Sequence, residues 1–202
     1  MIIGPKFKIA KRLGAPIFEK TQTAKFEISK ERGGRMKKHR PGQMSDYKRQ
    51  LIEKQKMRFT FGITEKQLRR YVNEAVEKSN QPISVLMTRL ESRLDNVVYR
   101  MGLAKTRRFA RQMVSHGHIL VNGRKLTIPS HKLQVDDTIS VRQGSKNTQL
   151  FTTLEDTHEA ASIPPWLSFD VKKIEGKVTA IPTHNPTEIL FDPAQVLEYY
   201  SR

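Results

Sequence analysis

Residues 105–124, KTRRFARQMVSHGHILVNGR, gather Lys105, Arg107, Arg108, Arg111 and Arg124 around Thr106, Gln112, Ser115, His116 and Asn122. Guanidinium groups present planar forks of N–H donors that match phosphate oxygens, and lysine adds a point charge. The hydroxyl, amide and imidazole groups can hydrogen-bond sugar or phosphate without charge. This is chemistry for holding a phosphodiester backbone rather than for breaking a bond. Arg93 and Lys132 extend the same cationic set. No cysteine is present, which excludes disulfides, thiolate catalysis and thiolate zinc sites. His116 and His118 lack the spacing and carboxylate company of a closed zinc site, and there is neither a phosphate-binding G-x-x-x-x-G-K-[ST] loop nor a Ser/His/Asp set. No catalytic residue, metal or cofactor is expected.

Two helices and a hairpin must carry these side chains. Leu94, Val97, Val98 and Met101 recur at helical spacing before Gly102. Thr106 is placed to cap a second helix, with Phe109, Ala110 and Met113 inward and Gly117 as its stop. Arg107 and Arg111 then lie one turn apart on that helix, while Lys105, Thr106 and Arg107 sit at its N-terminus, where free N–H groups favour anions. Asn122-Gly123 between short apolar and basic runs predicts a two-residue hairpin. Asp136-Asp137 turns the chain into a third strand at 138–141. Tyr99 and Phe109 are the only rings in this region and are assigned to the core. Sparse aromatics argue for recognition of RNA shape through the backbone rather than base reading on single strands.

Charge agrees. The 202 residues carry a formal +17, with a pI near 10.2, which favours polyanionic partners, nucleic acid or acidic membrane. Residues 1–150 hold 33 Lys and Arg against 12 Asp and Glu (net +21), whereas residues 151–202 hold 4 against 8 (net −4). The polyanion-facing surface therefore belongs to the first three quarters. No apolar run of about 18 residues exists to span a membrane, and the start MIIGPKFKIAKRLG lacks the apolar stretch of about 7 that a secretory signal needs. A cytoplasmic chain, or its organellar equivalent, is expected.

Four segments follow from patterning. Residues 1–43 read as a basic arm, either a disordered tail or an extended arm ordered by RNA, with Phe18, Phe26 and Ile28 as anchors and Arg35, Lys37, Lys38 and Arg40 for phosphates. Residues 44–90 read as a helical domain. Ser45 starts a helix with Tyr47, Leu51 and Ile52 inward. Thr64 and Gln67 form a capping box ahead of Leu68, Tyr71, Val72, Ala75 and Val76, with Arg69 and Arg70 on the opposite side as further RNA contacts. Residues 91–151 form the module described above. Residues 152–202 read as a C-terminal segment completing the helical domain: a helix near 152–161, strands near 169–171 and 178–181 with Gly176 in their turn, and a last helix with Pro193 in its first turn. Trp166 after Pro164-Pro165 suits a core plug or an interface anchor. Together with Glu188, Glu198 and Tyr199 it is assigned to a protein interface.

SRLDNVVYR (92–100), T-R-x-x-A-R-Q (106–112) and VSHGHILVNG (114–123) closely resemble the alpha-L-type RNA-binding module. With EKQKMRFTFGITEKQLRRY (53–71), GPKFKIAKRLG near the start, PPWLSFDVKKIEGKV and the closing LEYYSR, nearly the whole chain resembles the bacterial small-subunit ribosomal protein 4 family. The resemblance implies an α+β fold, with a mostly helical first domain, an inserted alpha-L module and a C-terminal segment packing back. It also implies a structural, non-catalytic protein of the 30S subunit that binds 16S ribosomal RNA at a multi-helix junction of the 5′ domain. Nucleation of assembly, translational accuracy with small-subunit protein 5, and proximity to protein 3 and to incoming mRNA are implied too. Many members carry four zinc-binding cysteines near the N-terminus; this chain resembles the cysteine-free version. Two other readings remain at this point: a stress-response or recycling factor built on the same module, and an RNA-modifying enzyme. Arg93-Leu94-Asp95 matches a short motif of pseudouridine synthases, whose aspartate is a nucleophile. Here Leu94 falls in the apolar stripe, and Asp95 is expected to pair with Tyr99 or an arginine.

Overall fold

A computed structural model describes residues 3–24, 26–27, 44–146, 148, 151, 163–183 and 188–201. Along the chain run α1 (Lys6–Leu13), a 3-10 turn (Glu19–Thr21), α2 (Asp46–Thr60), α3 (Glu65–Lys78), α4 (Pro82–Glu91), α5 (Leu94–Arg100) and α6 (Arg107–Ser115). Then come β1 (Ile119–Val121), β2 (Arg124–Lys125), β3 (Thr138–Val141), the one-turn α7 (Gln143–Lys146), β4 (Leu167–Asp170), β5 (Glu175–Val178) and α8 (Pro193–Tyr200). The fold is α+β, in two compact units: residues 1–86 with 185–202, and residues 87–184.

The first unit is helical. The capping box of Thr64 and Gln67 starts α3, which buries Leu68, Tyr71, Val72 and Ala75 as its periodicity requires. Val76, expected on the same stripe, is 57% exposed. The described part of the basic arm packs a small core, Ile9, Ala10, Leu13, Ala15 and Ile17 with the anchors Phe18 and Phe26, against which Ile52 and Phe59 of α2 are packed. Ile28 lies outside the described residues. The inward side of α2 differs from expectation. Ser45 caps it, accepting from the Lys48 N–H, yet Gln50, Lys54 and Met57 are its buried residues, and Tyr47 is exposed.

Helix α8 is the reason. Asp192 caps it ahead of Pro193, and its side chains meet α2 through polar groups. Gln50 Nε2 donates to Glu198 at 3.0 Å, the Tyr47 and Tyr199 rings lie 5.8 Å apart, and Lys54 Nζ sits 4.2 Å from the Tyr199 centroid. Lys54 also pairs with Glu65 at 2.8 Å, and the Tyr200 hydroxyl donates to the same carboxylate at 2.7 Å. Burial works against the Glu65 carboxylate, but hydrogen bonds from Lys54 and Tyr200 and the charges of Lys54 and Arg58 outweigh it and lower its pKa. Burial and that same carboxylate raise the pKa of Tyr200. A carboxylate with a lowered folded-state pKa contributes stability above its ordinary pKa and loses it as pH falls through the folded value. The α8 clasp is therefore expected to weaken in acid. Unfolding of this unit, followed by the Tyr199 and Tyr200 NMR signals from pH 7 downward, should show a falling midpoint that Glu65→Gln flattens.

The second unit wraps a five-stranded antiparallel sheet, order β2-β1-β3-β5-β4, against α5 and α6. The strand pair after Trp166 joins this sheet through β3–β5 pairing, with Thr138 opposite Lys177 and Ile139 opposite Gly176. Within the C-terminal segment, α8 returns to the helical unit while β4 and β5 extend the module. Gly176, expected in the turn, lies inside β5, where a side chain would meet Met101 at the end of α5 and the Ser168 carbonyl; Val171–Ile174 make the turn instead. The helix expected near 152–161 lies outside the described residues.

Candidate nucleic-acid interface

Local chemistry positions the module. The Thr106 hydroxyl accepts from the Phe109 N–H at 3.1 Å and starts α6. Apolar Ala110, Met113 and Val114 turn inward, and Gly117 ends the helix at φ 74°. A side chain at Gly117 would also displace the far end of the exposed Lys125 side chain from β2. Asn122 and Gly123 both take positive φ in the hairpin turn. The Asn122 amide is committed to bracing: Nδ2 donates to Asp137 at 2.8 Å, and Oδ1 accepts from the Thr138 N–H at 2.9 Å.

Beneath α6 lies a network of two carboxylates and four guanidiniums. Arg93, expected to touch RNA, is 1% exposed. It grips Asp95 with two bonds, Nε at 3.0 Å and Nη2 at 2.8 Å. Arg93 is thus an interior residue, a correction that its charge alone did not announce. Asp95, paired with arginine as expected, also takes Arg111 from the second helix, at 2.9 Å from Nε and 2.6 Å from Nη2. Glu91 accepts from Arg100 Nε at 3.1 Å and Nη2 at 3.0 Å, and from Asn96 Nδ2 at 2.7 Å. Asn96 in turn accepts from Arg107 Nε at 2.8 Å, and the Arg107 guanidinium lies 4.3 Å from the Tyr99 ring centroid. Arg107 and Arg111 therefore stand half-buried with fixed orientations rather than as loose surface cations.

Outside this layer, Lys105, Arg108, Gln112, Ser115 and His116 are exposed, as are Arg124, Lys125 and Lys132. Arg108, Gln112 and Ser115 follow helical spacing and form the outward side of α6. Lys105, Arg108, Arg124, Lys125 and Lys132 take no ion pair among the described residues. The structure brings together most of the expected set on one unit. Asn122 and Thr106 are committed to the hairpin brace and the helix cap. Lys125, Arg100, Glu91 and Asn96 were not singled out in the sequence. The basic run at 124–125 signalled the lysine, but nothing local signalled the other three. Tyr99 and Phe109 pack against the core, as expected. His118, its Nδ1 3.0 Å from Ser145 Oγ, has its pKa lowered by burial and by the neighbouring Arg142 and His116.

Other expected contacts are placed as follows. Arg69 and Arg70 are exposed on α3 of the helical unit, Arg70 near Glu74 at 3.7 Å. Arg35, Lys37, Lys38 and Arg40 lie outside the described residues. Trp166, assigned above to an interface, is instead a core residue, 3% exposed among the apolar side chains of the second unit. Burying an indole there contributes more than displaying it, because the sheet supplies the apolar pocket. Glu198 and Tyr199 are engaged with Gln50, Tyr47 and Lys54. Glu188 is exposed.

Two family models match. Residues 1–91 match the ribosomal protein S4/S9 N-terminal domain, and residues 92–139 match the S4 domain. The chain is 41% identical to small ribosomal subunit protein uS4 of Persephonella marina, over 98% of each chain. It is 42% identical to the protein of that name from Geobacillus stearothermophilus, over 98% of each. With the uS4 of Roseiflexus castenholzii it shares 41% identity over 99% of this chain and 98% of the relative.

Proposed function

The chain belongs to the uS4 family of small ribosomal subunit proteins, and from that premise we propose that it binds 16S ribosomal RNA as a structural constituent of the small subunit. The family is structural and non-enzymatic. The observation that carries the reading is the set of exposed cations Lys105, Arg108, Arg124 and Lys132 in the second unit, which also holds Arg111 fixed by the buried Asp95 and Arg107 fixed through Asn96. Such a surface recognises the shape of a folded backbone through phosphates.

In finer detail, the chain binds a multi-helix junction in the 5′ domain, nucleates assembly there in the cytoplasm, and supports decoding accuracy beside small-subunit protein 5. Protein 3 and the incoming mRNA are further neighbours in this reading. Residues 1–43 act as a second basic contact, with Arg35, Lys37, Lys38 and Arg40, and Arg69 and Arg70 add to it from the helical unit. Footprinting 16S RNA during reconstitution tests the proposal. Protection of a 5′-domain junction should appear early and only when the chain is present. The chain should also sediment stoichiometrically with small subunits through moderate salt. An unprotected junction, or a chain lost on washing as a transient factor would be, sinks it.

A further inference from the structure

We infer that Glu91 and Asp95 are positioning residues, which set Arg100, Arg107 and Arg111 as a pre-ordered cationic grid and so give the module its preference for folded over unstructured RNA. This inference rests on the RNA-binding reading above and deepens it.

Both carboxylates are interior, with side chains 3% and 5% exposed, while Arg100 and Arg111 keep 18% and 28% of theirs accessible. Each carboxylate holds its arginine through two donors, Nε and Nη2, which fixes the plane of the guanidinium as well as its place. Arg107 is fixed one step further on, through Asn96, and is flanked by the Tyr99 ring.

Stability alone does not account for this layout, because apolar side chains of similar volume often replace buried ion pairs without loss. A second guanidinium reaches Asp95 from another helix and stays partly exposed, although the Arg93–Asp95 pair is already made. What the layout does supply is order at the surface. A loose arginine must give up rotamer freedom when it meets a phosphate, and here that loss precedes binding. Arg107 and Arg111 stand about 6 Å apart along the helix axis. A folded RNA offers phosphates at set positions to such a grid, whereas an unstructured strand must first be ordered to meet it.

The test uses the full chain with two probes: folded 16S RNA in magnesium, and polyuridylate as unstructured strand. Asp95→Asn and Glu91→Gln each remove one negative charge, so simple electrostatics predicts tighter binding to both probes. Positioning predicts the reverse for the folded RNA, an affinity loss of about tenfold, with polyuridylate binding equal or stronger. Affinities that move together, in either direction, overturn the inference. A wild-type chain that binds both probes alike overturns this inference alone, whereas one that binds neither overturns the RNA-binding reading itself and this inference with it. Should neither variant fold, by the fluorescence of Trp166, NMR of the free wild-type chain decides. Rigid, dispersed Nε–H signals from Arg107 and Arg111 before RNA is added support the inference. Averaged signals that order only on binding overturn it.

Discussion

Asp95→Ala is expected to cost the 87–184 unit about 3–5 kcal/mol, the usual loss when one partner of a buried ion pair is removed. Arg93 is 1% exposed, and its guanidinium does not shed its charge in a protein. Without the carboxylate, that buried charge loses its two-bond counter-ion. The contrast is Lys177→Ala. Lys177 meets Asp136 at 2.7 Å, as close as Arg93 meets Asp95 at 2.8 Å, but both Lys177 and Asp136 are exposed. Solvent screens that pair, and about 0–1 kcal/mol is expected. Trp166 is the sole tryptophan and is buried in this unit, so urea unfolding followed by its fluorescence reads the relevant transition. Equal, small shifts for the two variants would show that the Arg93–Asp95 pair is not an interior feature.

The same residues show what a sequence discloses and what it withholds. Features whose causes lie within a few residues were readable: the Thr64 and Thr106 caps, the Asn122-Gly123 turn, the stripe Leu94, Val97, Val98 and Met101, and Pro193 in the first turn of α8. Each depends on local backbone geometry or on a single helical period. The inward side of α2 was not readable, because the groups that bury Gln50 and Lys54 arrive from Glu198 and Tyr199, more than 140 residues away. Nor was the place of Gly176 readable, since the side chain that leaves it no room is Met101, at the end of a helix far away in sequence. Charge was plain throughout, yet a charged residue states neither its depth nor its partner. Arg93, Arg108 and Arg111 look alike on the page. One proves interior, one outward, and one held between the two.

That distinction determines how RNA binding should be dissected. Arg107→Ala with Arg111→Ala would disturb Asn96 and Asp95 as well as any phosphate contact, mixing two causes. Lys105, Arg108, Arg124 and Lys132 are exposed and take no ion pair among the described residues. Replacing all four by alanine should therefore shift stability little, by about 0.5 kcal/mol or less per site. If each meets a phosphate, every loss lowers the slope of log K against log salt by ~0.7–0.9. The quadruple variant should bind 16S RNA with a slope shallower by about 3, and about a hundredfold more weakly at moderate salt. Raising salt should narrow the gap between wild type and variant, because the missing contacts are those that salt weakens most. A variant whose slope equals that of wild type would move the phosphate contacts off these four side chains, onto Arg100, Arg107 and Arg111 of the same module or onto basic residues of the helical unit such as Arg69 and Arg70.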